Sequence, residues 1–353
     1  VSGKALSDAS ATANAEATGI DGGAGVDDIS NSSAIVADAI SDADAVSVSL
    51  GVAVDVTTNS DSDVDIMGEA LSDTRATANA AATGFTGGDD DDTIVNTGAI
   101  TLMEGNDTDA SAMGVAVGLN VSGKVSLNKS KEDGQTLEFA EIFGDEDGGT
   151  SAISGKAVSS SGATANAEAM GIDGGGGVDD ITNTADIFAD VGADATAVSA
   201  ALDVAGSVTT NSDADVDITG AALSDASATS KTTATGINGG ADGDTIGNQG
   251  YINLSSGSNT TGVAASLSVA GAVTSKGDTE AEVEGSAISD TSVKASATAT
   301  GIDGGAGVDK INNETEEGVE NAGTIRLGAT SDATGVSASL GVTTAVTING
   351  DTK

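Results

Sequence analysis

The chain has 353 residues, a formal net charge of −43, and no Cys, His, Pro or Trp. These counts exclude disulfide and thiolate chemistry, imidazole catalysis and a core of large aromatic rings, and they set the surface against nucleic acid and anionic membranes. Apolar residues still make up 38% of the chain, mostly Ala, Val, Ile and Leu, which suits a thin core between closely stacked β layers rather than a disordered acidic chain.

The first predicted element opens at Ala5-Leu6-Ser7-Asp8 and runs through Ala11-Thr12-Ala13-Asn14-Ala15-Glu16-Ala17. Ala alternates with polar residues, which is the period of a strand with one face in and one out. Thr18-Gly19-Ile20-Asp21-Gly22-Gly23 ends it in a glycine turn. A Gly- and Asp-rich loop follows, and then Val46 to Val56 alternates large apolar with small or polar residues. This pattern predicts inward positions at Ile20, Val46, Val48, Leu50, Val52, Ile94, Ile181, Ile246 and Ile311. The phrase Val56-Thr57-Thr58-Asn59-Ser60-Asp61 returns at Val208-Thr209-Thr210-Asn211-Ser212-Asp213, where Asn59 and Asn211 are candidates for an inter-rung ladder.

The whole sequence then repeats. The turn glycine recurs at Gly19, Gly84, Gly171, Gly236 and Gly301, with spacings of 65, 87, 65 and 65. The long spacing exceeds the others by 22, close to one third of 65. That ratio predicts three rungs of about 22 residues per unit, with one extra rung near 125–155 that carries Glu138, Phe139, Ile142 and Phe143. The fifth unit holds about eight extra residues near 314–321, read as an exposed loop. The expected fold is all-β: a single array over 1–353, a right-handed parallel β-solenoid (β-helix) of about 16 rungs. At about 4.8 Å per rung its length is about 77 Å. A β-propeller of 65-residue blades is the rival, and it accommodates a one-rung insertion poorly.

One loop motif could carry chemistry. Gly22-Gly23-Ala24-Gly25-Val26-Asp27-Asp28-Ile29-Ser30 reads GGxGxDxUx, with U a large apolar residue. Gly174 to Thr182, with Asp179 and Asp180, and Gly304 to Asn312, with Asp309, repeat it. Gly87 to Val95 and Gly239 to Gly247 keep the frame but put Asp90 and Asp242 at the fourth place, with Asp91, Asp92 and Asp244 beside them. Read from residue types alone, the glycines make a tight turn and Asp27 caps it by hydrogen bonding.

The nonapeptide resembles the calcium-binding repeat of RTX proteins. That resemblance implies Ca²⁺ ligated by Asp27, Asp28, Asp90, Asp91, Asp92, Asp179, Asp180, Asp242, Asp244 and Asp309. RTX ions are shared by nonapeptides on successive turns, whereas three-rung spacing would keep these apart. After the nonapeptide come Asn96-Thr97-Gly98-Ala99-Ile100, Asn248-Gln249-Gly250-Tyr251-Ile252 and Asn321-Ala322-Gly323-Thr324-Ile325. Together the two phrases look like the passenger β-helices of autotransporters and filamentous-haemagglutinin-like adhesins. The resemblance implies an extracellular, cell-surface fibre.

Two further features take the bland reading. Sequons at Asn31, Asn106, Asn120, Asn253 and Asn259 are expected by chance in so Ser/Thr/Asn-rich a chain, and alternating Asp runs read as a solvated outer face. The expected function is a structural filament subunit that stacks head to tail with copies of itself, with Ca²⁺ as stabiliser. The alternative is a stalk or passenger segment of a surface adhesin that meets a cell-surface or host glycan receptor. Catalysis is not expected: β-helical enzymes that act on acidic sugars need bases and cationic residues, and Arg75 and Arg326 are the only arginines. The first residues align in mid-repeat with Ile66-Met67-Gly68-Glu69-Ala70-Leu71, so the reading expects a processed or excerpted chain whose end rungs match.

Overall fold

The computed structural model describes residues 1–58, 64–102, 108–127, 151–210, 216–275, 281–315 and 322–348. Seventeen strands lie in three parallel sheets, and the chain is a parallel β-solenoid. The first long sheet stacks β1 (Ser2–Asp21), β5 (Val64–Gly88), β9 (Ser151–Gly175), β12 (Val216–Asn238) and β15 (Ala281–Asp303). The short sheet stacks β2 (Asp28–Asn31), β6 (Thr93–Asn96), β10 (Asp180–Asn183), β13 (Thr245–Asn248) and β16 (Lys310–Asn313). The second long sheet contains β3 (Ile35–Val36), β4 (Ile40–Thr58), β7 (Ile100–Leu102), β8 (Thr108–Leu127), β11 (Ile187–Thr210), β14 (Ile252–Ser275) and β17 (Ile325–Ile348).

The rung count differs from the expectation. Ala5 pairs with Ala70 and Ala222 with Ala287, 65 residues on, and Ala70 pairs with Ala157, 87 residues on. One full coil therefore takes a whole repeat unit, and the structure has five coils rather than 16 rungs. The span of about 22 residues recurs as the length of a long strand, 19 to 25 residues. Five coils at about 4.8 Å stack to about 24 Å, while a 24-residue strand reaches about 79 Å. The solenoid is a wide slab along its strands, not a 77 Å rod along its axis.

The 22 extra residues are not an added rung either. Leu102 to Thr108 spans six positions where the paired Ala189 to Val191 spans two, an excess of four. Leu127 to Ser151 spans 24 positions where Thr210 to Val216 spans six, an excess of 18. The excess is split between two connections of one coil, and the flanking strands keep their register. Glu138, Phe139, Ile142 and Phe143 lie outside the described residues, as do Asn59 and Asn211. In the fifth coil, Asn313 to Ile325 spans twelve positions against four from Asn248 to Ile252, so the eight-residue insertion sits between β16 and β17 as expected.

Where the three sheets meet, the core takes large side chains: Phe85, Ile94, Ile100, Ile172, Ile181, Ile187, Ile237 and Ile246 are fully buried. Along the middle of the coil the two long sheets face each other mostly across Ala, Ser, Gly and Thr, and at the end away from the corner Ile66, Ile153, Val216 and Ile218 form a second buried cluster with Ala53, Ala205, Ala270 and Ala272. Ser159 Oγ donates to the backbone carbonyl of Ala116 at 2.7 Å, and Ser161 Oγ to that of Gly114 at 2.7 Å. A Cβ on Gly114 would lie 2.6 Å from Gly162 O. No Val or Leu fits there, so the larger members of Val46–Val56 point outward. Val46, Val48, Leu50 and Val52 are 54–59% exposed, which corrects their inward placement. Ile94, Ile181 and Ile246 are inward as expected; Ile311, their equivalent in the last coil, is 48% exposed, and among the described residues no further strand pairs beyond β16.

Candidate functional site

The nonapeptide turns stack directly on one another at the corner between the first long sheet and the short sheet. Asp89 N–H donates to Gly23 O, Gly176 N–H to Gly88 O, Ala241 N–H to Gly175 O and Ala306 N–H to Gly240 O, at 2.8–2.9 Å. The motifs expected three rungs apart thus lie on adjacent coils. The left-handed backbone explains the fourth place of the motif. Gly25, Gly177 and Gly307 have φ of 104°, 109° and 124° there, and Asp90 and Asp242 occupy the same region at 76° and 73°. Asp tolerates that region better than most side chains.

Asp27, Asp92, Asp179, Asp244 and Asp309 form one column directed inward. Asp27 N–H donates to Asp92 Oδ1 at 2.8 Å, Asp92 N–H to Asp179 Oδ1 at 2.8 Å, Asp179 N–H to Asp244 Oδ1 at 2.9 Å, and Asp244 N–H to Asp309 Oδ1 at 3.0 Å. Residue types alone predict that Asp27 caps its own turn; instead Asp92, Asp179, Asp244 and Asp309 each cap the coil before their own. The second oxygen is the odd one. Oδ2 of Asp27, Asp92, Asp179 and Asp244 is buried without a hydrogen-bond partner. Burial pushes the Asp179 carboxyl up to about 6, against the hydrogen bond from Asp92 N–H; the neighbouring Asp244, Asp92 and Asp91 carboxylates add to the rise. Burial likewise raises Asp244.

The other predicted ligands do not join this column. Asp28 and Asp180 point out from the short sheet, sharing a column with Thr93, Thr245 and Lys310. Asp90, Asp91 and Asp242 are exposed at the turn tips, where Asp91 Oδ1 accepts from Val178 N–H at 2.8 Å. Among the described residues, no three acidic side chains converge as a metal-binding group. Calcium requires six to eight oxygens at 2.3–2.6 Å. A single file of carboxylates, four of them with one oxygen already committed to a backbone N–H, does not supply that cage.

Sequence reasoning missed a second ladder. Asn31 Nδ2 donates to Asn96 Oδ1, Asn96 to Asn183, Asn183 to Asn248, and Asn248 to Asn313, at 2.8–3.0 Å. The phrase Asn-x-Gly-x-Ile signals it, but in the fifth coil Asn313, not Asn321, takes the position. Asn313 Nδ2 reaches Gly323 O across the insertion at 2.7 Å, and Asn321 lies outside the described residues. The ladder buries the sequon Asn31, and Asn120 is also buried, bonded to Asp203. Neither amide is open to glycan attachment in this fold.

Comparison with protein-family models, with curated proteins and with solved structures finds no match for this chain. The architecture stands on the strand pairing alone.

Proposed function

We propose that the chain is a structural, non-catalytic subunit of an extracellular, cell-surface fibre that grows by stacking coil on coil, head to tail with further copies. The observation that carries this reading is the mismatch at the last coil. Ile311 is 48% exposed, whereas Ile94, Ile181 and Ile246 in the same column are 0%. One more coil would bury it. The polar columns are directional in the same sense. Each Asn Nδ2 reaches forward to the next Oδ1, so Asn313 Nδ2 and the Asn31 Oδ1 of another copy form a donor–acceptor pair. Asp309 N–H and the Asp27 carboxylate of that copy match in the same way. Such a contact is heterologous and does not close, which makes a filament.

Calcium enters this reading as a counterion of the exposed Asp columns on a chain of net charge −43; divalent ions lower the repulsion between stacked copies. The second reading is a stalk segment of a surface adhesin, in which the neighbouring coils belong to the same polypeptide. Electron microscopy of purified chain separates the two. Filaments with an axial repeat of about 24 Å are expected, longer in Ca²⁺ than in Na⁺ at equal ionic strength and shortened by Ile311→Lys. Particles that do not stack end to end at high concentration in Ca²⁺ would leave the stalk reading.

A further inference from the structure

We infer that the outward face of the second long sheet is a pairing surface for a second copy of this chain, held face to face about a two-fold axis that runs along the stacking direction over the Val52 column. The face is built by register. Leu50, Leu119, Leu202, Leu267 and Leu340 align into one unbroken column, and Val52, Val121, Val204, Val269 and Val342 into the next. Counting from the Val46 column to the Val56 column gives six outward positions on each of five strands. These thirty positions carry no charged residue and one hydroxyl, Thr344, on a chain with 55 acidic residues. The acidic residues of the same face, Asp42, Asp44, Asp109, Asp190, Asp194 and Asp332, are confined to its other half.

Leu50 and Leu340, on the two end strands, are 58% and 59% exposed, and Leu119, Leu202 and Leu267 between them are half-buried, as outward residues of a flat sheet are. Eleven residues of strand across five strands cover about 36 Å by about 24 Å, about 870 Å². Monomeric soluble proteins rarely leave that much contiguous apolar surface bare, and a standard stable interface takes about 800 Å² from each partner. The patch therefore matches what a dimer of this chain needs.

Its relief is self-complementary. A groove follows the small residues Ala200, Ala265 and Ala338 beside the Leu column. Another follows Gly123, Gly206 and Gly271 beside the Val56 column. Between them stand the Leu50 and Val52 ridges. Turning a second copy over the Val52 column reverses its strands. The Leu ridge of each copy then enters the Gly groove of the other, the Val56 ridge enters the Ala groove, and the Val52 column meets itself. Side chains that interdigitate in this way give a dry sheet-to-sheet interface, and an isologous contact closes at two.

The test uses the full chain in an Ile311→Lys background, which holds end stacking off. Sedimentation is expected to give twice the 33.5 kDa chain mass. Leu202→Lys should return it to the single-chain mass with its circular dichroism unchanged, and Thr164→Lys on the outer side of the opposite sheet should leave the dimer intact. The chain has no Cys, so Val204→Cys offers one thiol. A short bis-maleimide should join two such copies through it, whereas Val198→Cys, far from the axis, should stay single. A single-chain mass at high concentration overturns the inference. So does a dimer that survives Leu202→Lys, failure of Val204→Cys to cross-link, or capture by phospholipid vesicles without a dimer.

Discussion

The corner of each coil and its flat arm are built from the same strands, yet they obey opposite packing rules. At the corner three sheets enclose a space that Phe85, Ile94, Ile100 and Ile181 fill. Along the arm only two sheets meet, so close that a serine hydroxyl of one reaches the carbonyl of the other. Ala, Ser and Gly take most inward positions where the arm is narrowest, as at Ala112, Ser159 and Gly114, and larger side chains return only at its far end, where Ile66, Ile153 and Ile218 are buried against Ala53, Ala205 and Ala270. Enclosure, not hydrophobicity, decides which apolar residues go inside. Where the gap is as narrow as at Gly114 and Gly162, Val and Leu can only face out.

Four substitutions test that contrast. The largest loss is expected at the corner: Ile181→Ala removes a fully buried side chain from an enclosed space and should cost about 2–5 kcal/mol in urea unfolding. Retention of wild-type stability would mean that the corner collapses onto the gap. The arm should fail in the opposite direction. Ala197→Leu adds volume where the sheets cannot part and should cost about 1–3 kcal/mol; if it is neutral or stabilising, the arm is not as thin as described.

Asp203 sharpens the comparison through charge. It is fully buried in the arm, accepts from Asn120 Nδ2 at 2.7 Å, and leaves Oδ2 without a partner. Burial pushes its carboxyl up to about 6 from 3.8, against the hydrogen bonds from Asn120 and Ala221. Between those values the folded chain binds the proton and the unfolded chain releases it, so stability falls as pH rises through about 4 to 6. Asp179 acts in the same direction. Asp203→Asn should therefore raise stability at pH 7 by about 1–3 kcal/mol and flatten that part of the pH profile, as read by thermal melts at pH 4.5 and 7. A variant as pH-dependent as the parent would assign the effect elsewhere. The smallest change in stability belongs to the outward ridge, where Leu202→Lys should shift monomer stability by less than about 0.5 kcal/mol. A larger loss would show that the ridge supports the fold itself.

Much of this was legible in the sequence. Parallel stacking follows from the recurrence of Gly19, Gly84, Gly171, Gly236 and Gly301. The structure gives the reason for that glycine: a Cβ on Gly84 would sit 2.5 Å from Gly171 O on the next coil and 2.7 Å from Ile100 Cγ2. The strand period was also right. Its phase was wrong in the arm, because alternation says which residues share a face but not how much room that face has. The coil length was misread because 22 matches both a third of the unit and the length of a long strand; only the pairing of Ala5 with Ala70 separates them. At the turns, spacing identified Asp27, Asp92, Asp179, Asp244 and Asp309 as equivalent. It could not show that Asp92, Asp179 and Asp244 would each cap the preceding coil and leave the other oxygen unpaired.

The direction of the coils has a mechanical consequence. β1 runs toward the corner, and β4, β8, β11, β14 and β17 run back from it, so Ser2 and Ile348 both lie at the end of the slab opposite the corner. A pull on those two points does not load the ladders together. It opens them from that edge, a few backbone bonds at a time, and each terminal coil peels before the next is strained. Every 65-residue coil released yields roughly 220 Å of extended chain. Tension on this chain would thus be met by stepwise lengthening, each step absorbing work while the remaining coils keep their register.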